Sequence, residues 1–273
     1  SLDAQWPWLR FQGCRCYPLD TRGEGVLMGD EVVLEVFRLD PERETAPRMD
    51  VFRVASRPGL TVLEALFEIL ERQDPSLSFR YACRGAVCGS CAMYINGSYR
   101  LACETQVSSL TPGKITIHPL PHLPVIKDLV VDMTAVFEKY AEVMPFLQAQ
   151  DSPLARERLQ SPAQRRILEE KIGCILCGAC FSACPMTWTN KDYVGPAALN
   201  AAYRFVADSR DGAVDERLAL VSSEEGLWRC HTVFNCTEAC PKKVNPAHSI
   251  QQLKRISVAR RMRALLPGVS RHD

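Results

Sequence analysis

The sequence has no long apolar run, no excess of charge and no nucleotide-binding fingerprint. Among its 273 residues no hydrophobic stretch approaches the ~18 residues of a membrane-spanning helix. We see no signal peptide either, and we therefore expect no transmembrane segment. The formal net charge of +1 gives no reason to expect nucleic-acid binding. Neither a Walker A motif nor G-x-G-x-x-G occurs, so any flavin or nicotinamide would belong to another subunit.

Cysteine, in contrast, is abundant, and eleven of the thirteen cysteines fall into three groups. The first group has the C-x4-C-x2-C-x11-C spacing of a plant-type [2Fe–2S] ferredoxin. The second is C-x2-C-x2-C-x3-C followed by proline, and the third repeats it with Val233 where one cysteine is expected. The groups are Cys83, Cys88, Cys91 and Cys103; Cys174, Cys177, Cys180 and Cys184; and Cys230, Cys236 and Cys240. The three groups therefore indicate an electron-transfer protein with three iron–sulfur clusters.

The second and third groups are expected to exchange their last cysteines. In two-cluster ferredoxins the fourth cysteine of each run ligates the other cluster. Cys240 then completes a [4Fe–4S] cluster with the first three cysteines of the second group. Cys184 joins Cys230 and Cys236, and these three thiolates fit a [3Fe–4S] cluster. The alternative is a [4Fe–4S] cluster with water on its fourth iron, against which the apolar Val233 argues because it would shield that corner.

Two other uses of cysteine fit the pattern less well. A disulfide scaffold is expected of short secreted chains, not of this length and spacing. Zinc sites take four ligands, and eleven cysteines do not divide into tetrahedral sets. Cys14 and Cys16 stand apart and are interpreted as free thiols.

We predict an α+β protein with an extension and two domains. Residues 1–30 form the N-terminal extension. Residues 31–125 form a plant-type ferredoxin (β-grasp) domain, with strands near 31–39, 50–55 and 114–118, a helix capped by Thr61 and Glu64, and a hairpin that turns at Asn96-Gly97. Residues 126–273 form an all-α, bacterial-ferredoxin-like domain, and the Pro-rich segment 119–130 lies at the boundary.

In the first cluster loop, Gly85 and Gly89 are expected to let backbone N–H groups turn toward the sulfurs. In the second domain, Ser161 with Gln164 predicts a helix start, and Pro196 and Pro246 predict two further starts. The apolar residues between the ligands, Val233 among them, are expected to keep water from the clusters.

The order of these motifs resembles the iron–sulfur subunits of succinate dehydrogenase. The matching segments cover most of residues 31–250 and are FRYACRGAVCGSCAMYING…LAC at 79–103, PLPHLPVIKDLV at 119–130, CILCGACFSACP at 174–185, AYRFVADSRD at 202–211 and CHTVFNCTEACPKKVNP at 230–246. The resemblance implies a subunit of a membrane-bound succinate:quinone oxidoreductase. It would relay electrons from the FAD of a flavoprotein partner through the three clusters to quinone.

The resemblance also implies partners and a location. The partners are the flavoprotein and one or more membrane anchor subunits, with or without heme. The quinone would bind against the anchor, near Pro185, Trp188, His231 and Val233. The complex would lie on the cytoplasmic face of a bacterial inner membrane. Met186 and Thr189 stand where ubiquinone-linked members usually carry serine and a second tryptophan.

Two alternatives stay open on sequence alone. A quinol:fumarate reductase uses the same parts in the reverse direction, and sequence does not set the direction. A soluble ferredoxin-like carrier would need no large docking surfaces.

Overall fold

The chain divides between Asp132 and Met133 into two compact units. The structure, a computed structural model, describes residues 31–110, 113–149 and 157–265. The predicted extension over residues 1–30, with Cys14 and Cys16, lies outside this part of the chain. Among the described helices none is both apolar enough and long enough to cross a bilayer.

A five-stranded sheet forms the first unit, in the order β2-β1-β5-β3-β4. β1 pairs with β2 in antiparallel and with β5 in parallel orientation, and β3 pairs with β5 and β4 in antiparallel orientation. The central parallel pair contributes buried apolar residues to the core, among them Leu34, Val36 and Ile117. The predicted β-rich domain is therefore confirmed. The strands are β1 (Glu31–Arg38), β2 (Arg48–Ala55), β3 (Ala92–Ile95), β4 (Ser98–Leu101) and β5 (Ile115–His118).

The helix α1 (Val62–Arg72) begins at the predicted capping box. The N–H of Glu64 donates to Thr61 Oγ1 at 3.2 Å, and the N–H of Thr61 donates to Glu64 Oε2 at 2.8 Å. Most of its apolar stripe is buried, but Phe67 remains half-buried and contacts the Tyr81 ring at 4.6 Å between centroids. This contact links α1 to the start of the first cysteine loop.

The Pro-rich segment contains a short hairpin of β6 (Val125–Lys127) and β7 (Val130–Val131). At its turn, Asp128 has a left-handed φ of 46° and is 2% exposed. Its carboxylate accepts hydrogen bonds from Arg38 Nε at 3.0 Å and from the N–H groups of Leu39 at 3.1 Å and Ser78 at 2.9 Å. These bonds fix the hairpin to the first unit, which extends past the limit predicted at residue 125.

All regular elements in the described part of the second unit are helices, as predicted. Its helices are α2 (Thr134–Glu142), α3 (Pro162–Ile172), α4 (Ala179–Ala183), α5 (Pro185–Thr189), α6 (Pro196–Val206), α7 (Val214–Val221), α8 (Asn235–Glu238) and α9 (Pro246–Leu265). The predicted capping box opens α3, with the N–H of Ser161 donating to Gln164 Oε1 at 2.8 Å. The two remaining predicted starts, Pro196 and Pro246, open α6 and α9.

Helix α6 is buried on nearly every side and forms the centre of the second unit. Nine of its eleven residues are buried. Many of them are alanines, and small side chains allow neighbouring backbones to approach closely. The helix therefore packs between α9 and the segments that carry the cysteines.

Candidate iron–sulfur cluster sites

The first cysteine group surrounds one end of the β3–β4 hairpin. Asn96 and Gly97 form its turn with φ of 46° and 75°, the left-handed pair of a type I′ turn. At the open end, the N–H of Ala102 donates to the carbonyl of Cys91 at 3.0 Å. This pairing places Cys91 and Cys103 on neighbouring strand ends, which the eleven-residue gap between them requires.

Backbone N–H groups of the preceding loop point at the sulfurs of this group. Cys83 Sγ accepts from the N–H groups of Gly85 at 3.4 Å and of Val87 and Cys88 at 3.3 Å. Cys103 Sγ accepts from the N–H of Ala86 at 3.3 Å. Such donors stabilise negative charge on cluster sulfur. The loop is therefore already shaped for thiolates.

Glycine is the residue expected at left-handed backbone positions, but two of the three such positions in this loop are not glycine. Arg84 and Ala86 have φ of 54° and 57°, and of the two predicted glycines only Gly89 has a positive φ, at 74°. A Cβ on Gly85 would meet only the carbonyl of Cys83, at 3.7 Å, which is ordinary contact. The N–H of Gly85 points at sulfur as expected, but the conformation of this residue does not require glycine.

The thiols of the first group differ in their electrostatic surroundings. Hydrogen bonds from the N–H of Cys83 and from Ser90 lower the pKa of Cys88 to about 6. Burial raises the pKa of Cys91 to about 12, and repulsion from the nearby Cys103 thiolate adds to the rise. Ionising Cys91 thus requires a positive charge beside it, and iron supplies one when it binds.

Arg84 lies against the aromatic residues at the edge of this loop. Its guanidinium carbon is 4.6 Å from the centroid of Phe67 and 5.6 Å from that of Tyr81. The contact ties the loop to α1. Beside it, Val87 is 70% exposed, so the loop presents an apolar side chain to its surroundings.

A second site is a cavity lined by Cys174, Cys177, Cys180 and Cys240. It combines the first three cysteines of one run with the last cysteine of the other. Apolar residues, glycine and one buried amide complete most of the wall: Ile175, Leu176, Gly178, Ala197, Asn200, Val244 and Pro246. Lys242 also lines it but is exposed.

Burial dominates the thiols of this second site. Desolvation raises the pKa of Cys174, raises that of Cys177 to about 11, and raises that of Cys180 well above its usual value, with the neighbouring thiols adding to the effect. Uncompensated thiolates would be costly here. A cationic iron cluster, which binds soft sulfur ligands, removes that cost, so these residues fit the group.

A third cavity is lined by Cys184, Cys230 and Cys236, without a fourth cysteine among its lining residues. Burial raises the pKa of Cys184, and raises that of Cys236 to about 11. Helix α9 anchors the loop on one side, since Lys254 Nζ donates to the carbonyl of Cys230 at 2.8 Å. Three thiols facing one cavity fit a cluster with three thiolate ligands.

The structure gathers three of the four candidate quinone residues around this third cavity. Pro185, His231 and Val233 line it, whereas Trp188 does not. Met186, at the second position of α5, lines the cavity, whereas Trp188, two residues later, is not among its lining residues. Spacing along the chain alone had suggested that Trp188 lies near the cluster.

Val233 lines the third cavity and is also partly open to the surroundings in this chain. It is 51% exposed, and the neighbouring Phe234 is 50% exposed. The loop reaches this position through Thr232 and Phe234, with φ of 59° and 66°. An apolar edge thus faces outward beside the third cavity.

Sequence reasoning missed several lining residues. Thr232, Phe234 and Asn235 lie between ligands of the third run, so proximity along the chain was the available signal. No sequence signal pointed to Tyr193 or Asn200, because each reaches its cavity only through the packing of α6 and the segment before it.

Two family models match the chain. A 2Fe-2S iron-sulfur cluster binding domain matches residues 33–138, and a 4Fe-4S dicluster domain matches residues 170–244. The first match spans the first cysteine group, and the second spans the second and third groups.

The chain is similar to two curated proteins over most of its length. The "Succinate dehydrogenase iron-sulfur subunit" of Paracoccus denitrificans is 43% identical over 82% of this chain and 87% of its own length. The "Succinate dehydrogenase [ubiquinone] iron-sulfur subunit 1, mitochondrial" of Oryza sativa subsp. japonica is 46% identical over 82% of this chain and 81% of its own length. A chain of the "Mycobacterium smegmatis Sdh1 complex in the apo form" superposes with a TM-score of 0.78 at 26% identity, covering 88% of this chain and all (100%) of that one.

Proposed function

The chain belongs to the family of succinate dehydrogenase iron–sulfur subunits, and we propose that it conducts electrons from succinate to quinone. Oxidation of succinate to fumarate releases two electrons and two protons, and reduction of quinone to quinol takes up two of each. When bound, each iron–sulfur cluster accepts and donates one electron at a time. Both curated relatives are named for succinate dehydrogenase, which supports this direction over fumarate reduction.

The observation that carries the proposal is the exchange of cysteines between the two runs of the second unit. Cys240 lines the cavity of Cys174, Cys177 and Cys180, and Cys184 lines the cavity of Cys230 and Cys236. This is the ligand exchange of two-cluster ferredoxins. It supports assigning the four-cysteine cavity to a [4Fe–4S] cluster.

The three-cysteine cavity is assigned to a [3Fe–4S] cluster. Val233 takes the position of the missing cysteine and has no lone pair to offer an iron. His231 is exposed beside the same cavity, and Pro185 forms part of its wall. These residues would border the quinone, with His231 available to exchange protons.

In the first unit, Cys83, Cys88, Cys91 and Cys103 would hold the [2Fe–2S] cluster. The N–H groups of residues 85–88 would stabilise charge on its sulfurs. The exposed Val87 beside this loop supports a docking role toward the flavoprotein that carries FAD.

The exposed apolar edge of Val233 and Phe234 supports a complementary role toward a membrane anchor. An anchor that covers this edge would exclude water from the third cluster, which this chain alone leaves open. The subunit would then be a peripheral component of a membrane-bound complex. We place it on the cytoplasmic face of a bacterial inner membrane, with heme content set by the anchor.

The proposal is tested by isolating the complex from its native source and titrating it with dithionite. We expect EPR signals of three different clusters, together with succinate-dependent quinone reduction. Cys240→Ser should alter the [4Fe–4S] signal and leave the oxidised [3Fe–4S] signal in place. Loss of the [3Fe–4S] signal instead would contradict the assignment of the two cavities.

A further inference from the structure

Asn200 and Ser249 form a buried polar pair in the wall between α6 and α9. Asn200 is 2% exposed and Ser249 is 0% exposed. Ser249 Oγ donates to Asn200 Oδ1 at 2.8 Å. The same hydroxyl lies farther, at 3.4 Å, from the carbonyl of Asn245, so the bond to Asn200 is the shorter of its two choices.

Asn200 also lines the cavity of the second cysteine group. Apart from the cysteines, it is the one buried polar side chain among the described residues of that wall. Lys242, the other polar lining residue, is exposed. Burying an amide in an apolar wall is unfavourable unless both its ends are hydrogen-bonded.

The two ends of the Asn200 amide have different partners. Its oxygen accepts from Ser249, but no hydrogen bond from Nδ2 to a protein atom is found in the described residues. With the oxygen held toward Ser249, the NH2 group turns away from α9. The opposite orientation would direct carbonyl lone pairs at a site of negatively charged sulfurs, which is unfavourable.

We propose that Asn200 Nδ2 donates a hydrogen bond to a sulfur of the [4Fe–4S] cluster and raises its reduction potential, with Ser249 as the residue that positions the amide. Reduction adds one electron to the cluster, breaks no bond and leaves the amide proton on Nδ2. The added negative charge resides partly on sulfur, where a nearby N–H donor stabilises it. This inference rests on the proposed assignment of the four-cysteine cavity to a [4Fe–4S] cluster.

A purely structural role for the pair makes a different prediction. If the Ser249–Asn200 bond serves only to join α6 to α9, removing it lowers stability and leaves the potential unchanged. The potential of the cluster in the assembled complex therefore separates the two roles.

The test is a redox titration of the [4Fe–4S] EPR signal in the purified complex. Asn200→Leu is expected to lower the equilibrium constant for reduction about tenfold, equivalent to ~59 mV for a one-electron couple. Ser249→Ala frees the Asn200 amide to rotate and should lower the reduction potential by a smaller amount. Ser257→Ala is the matched control, since it removes another buried hydroxyl of α9, paired with Ser222 at 2.8 Å and outside the cavity wall, and should leave the potential unchanged.

Each outcome has one meaning. A wild-type complex without any [4Fe–4S] signal contradicts the proposed function itself. A wild-type signal whose potential is the same in Asn200→Leu and Ser249→Ala overturns the role of Asn200. If Asn200→Leu fails to assemble, Ser249→Ala and the smaller Asn200→Ser decide, and an unchanged potential in both overturns the inference.

Discussion

Val233 accounts for the difference between the second cavity, which has four cysteines, and the third cavity, which has three. It takes the place of a ligand in a run that otherwise repeats the second, and it lines the cavity with three cysteines. Its side chain lines the cavity even though half of it is exposed. A cysteine placed here would therefore line the same cavity as the three ligands.

We expect Val233→Cys to add a fourth thiolate and convert the [3Fe–4S] cluster to [4Fe–4S]. The oxidised protein should lose its [3Fe–4S] EPR signal. The potential should fall, so the cluster would be reduced less often and quinone reduction should slow, by up to about tenfold for each ~59 mV of the fall. Succinate oxidation with artificial acceptors at the flavin should persist.

Val233→Ala is the control for this change, because it removes bulk without supplying a ligand. Its [3Fe–4S] signal should remain. A Val233→Cys protein that keeps the signal, or a wild type that lacks it under anaerobic preparation, would show that a ligand other than cysteine completes the cluster.

Single residues also mark the limit of what the sequence predicts. Cysteine spacing is a local pattern, so the composition of all three groups could be inferred without a structure. Trp188 and Met186 are two residues apart, and only the start of α5 at Pro185 decides which of them lines the cavity. Asn200 carries no motif, since its position depends on packing against a helix nearly fifty residues later.

At the scale of elements, the β6–β7 hairpin depends on a buried carboxylate. Asp128 binds Arg38 and two backbone N–H groups. Arg38 is 3% exposed, so removing its partner leaves a buried charge less well compensated. The free energy of unfolding of the first unit should therefore depend on Asp128.

Asp128→Ala should destabilise the first unit by about 1.5–3 kcal/mol, the usual cost of losing hydrogen bonds to a charged group, because Arg38 keeps two other carboxylate partners. Thermal unfolding, followed by the visible absorbance of the [2Fe–2S] cluster, measures the change. Glu31→Gln is the control, because its ion pair with Arg53 at 3.6 Å is exposed on both sides and should contribute under ~1 kcal/mol. Equal shifts in the two variants would contradict the structural role of the hairpin.

The segment that leaves β5 makes the first unit sensitive to acid. Burial lowers the pKa of His118 and of His122 to about 4, whereas an unfolded histidine titrates near ~6.5. Between these values the unfolded chain binds more protons, so the free energy of unfolding falls as pH drops below about 6.5. The fall is at most ~1.4 kcal/mol per pH unit for each histidine.

We therefore expect a lower thermal midpoint for this unit at mildly acidic pH than at neutral pH. His122→Asn should reduce the difference, and asparagine tolerates the φ of 62° at this position. His248→Asn changes an exposed histidine in the second unit and should leave the difference unchanged. A His122→Asn protein with the wild-type pH dependence would show that this histidine is not the source.

Elements with strong local signals were predicted well, and elements held by distant contacts were not. The capping boxes at Thr61 and Ser161 and the Asn96-Gly97 turn are each encoded within a few residues. The β6–β7 hairpin has strands of three and two residues in a Pro-rich segment, with no alternating pattern to find. Its stability comes from Arg38, ninety residues earlier in the chain.

At the scale of the whole molecule, each end of the proposed electron route exposes an apolar residue. Val87 is 70% exposed beside the first cysteine loop, and Val233 is 51% exposed beside the third cavity. One-electron carriers must lie between the two-electron chemistry of the flavin and that of the quinone. We therefore expect the first loop to contact the flavoprotein and the third cavity to contact the anchor.

Val87→Glu should weaken association with the flavoprotein without releasing the anchor. Placing a charge at the centre of an apolar contact typically costs a few kcal/mol, so the amount of flavoprotein that co-purifies should fall by at least tenfold. Val51→Glu is the matched control, since Val51 is 57% exposed on β2, away from the loop. Loss of the anchor instead, or cross-links from residues 79–103 to the anchor, would reverse the proposed orientation.

The hydrogen bonds to sulfur in the first loop have a consequence for how this family can evolve. The donors at residues 85–88 are backbone N–H groups, so most exchanges of their side chains leave the sulfurs in the same surroundings. Mutational drift between Cys83 and Cys88 should thus be tolerated, except for proline, which removes a donor, and for β-branched residues at positions 84 and 86, where φ is positive. An insertion or deletion would displace every donor at once. Selection should therefore preserve the length of this loop more strictly than its amino-acid sequence.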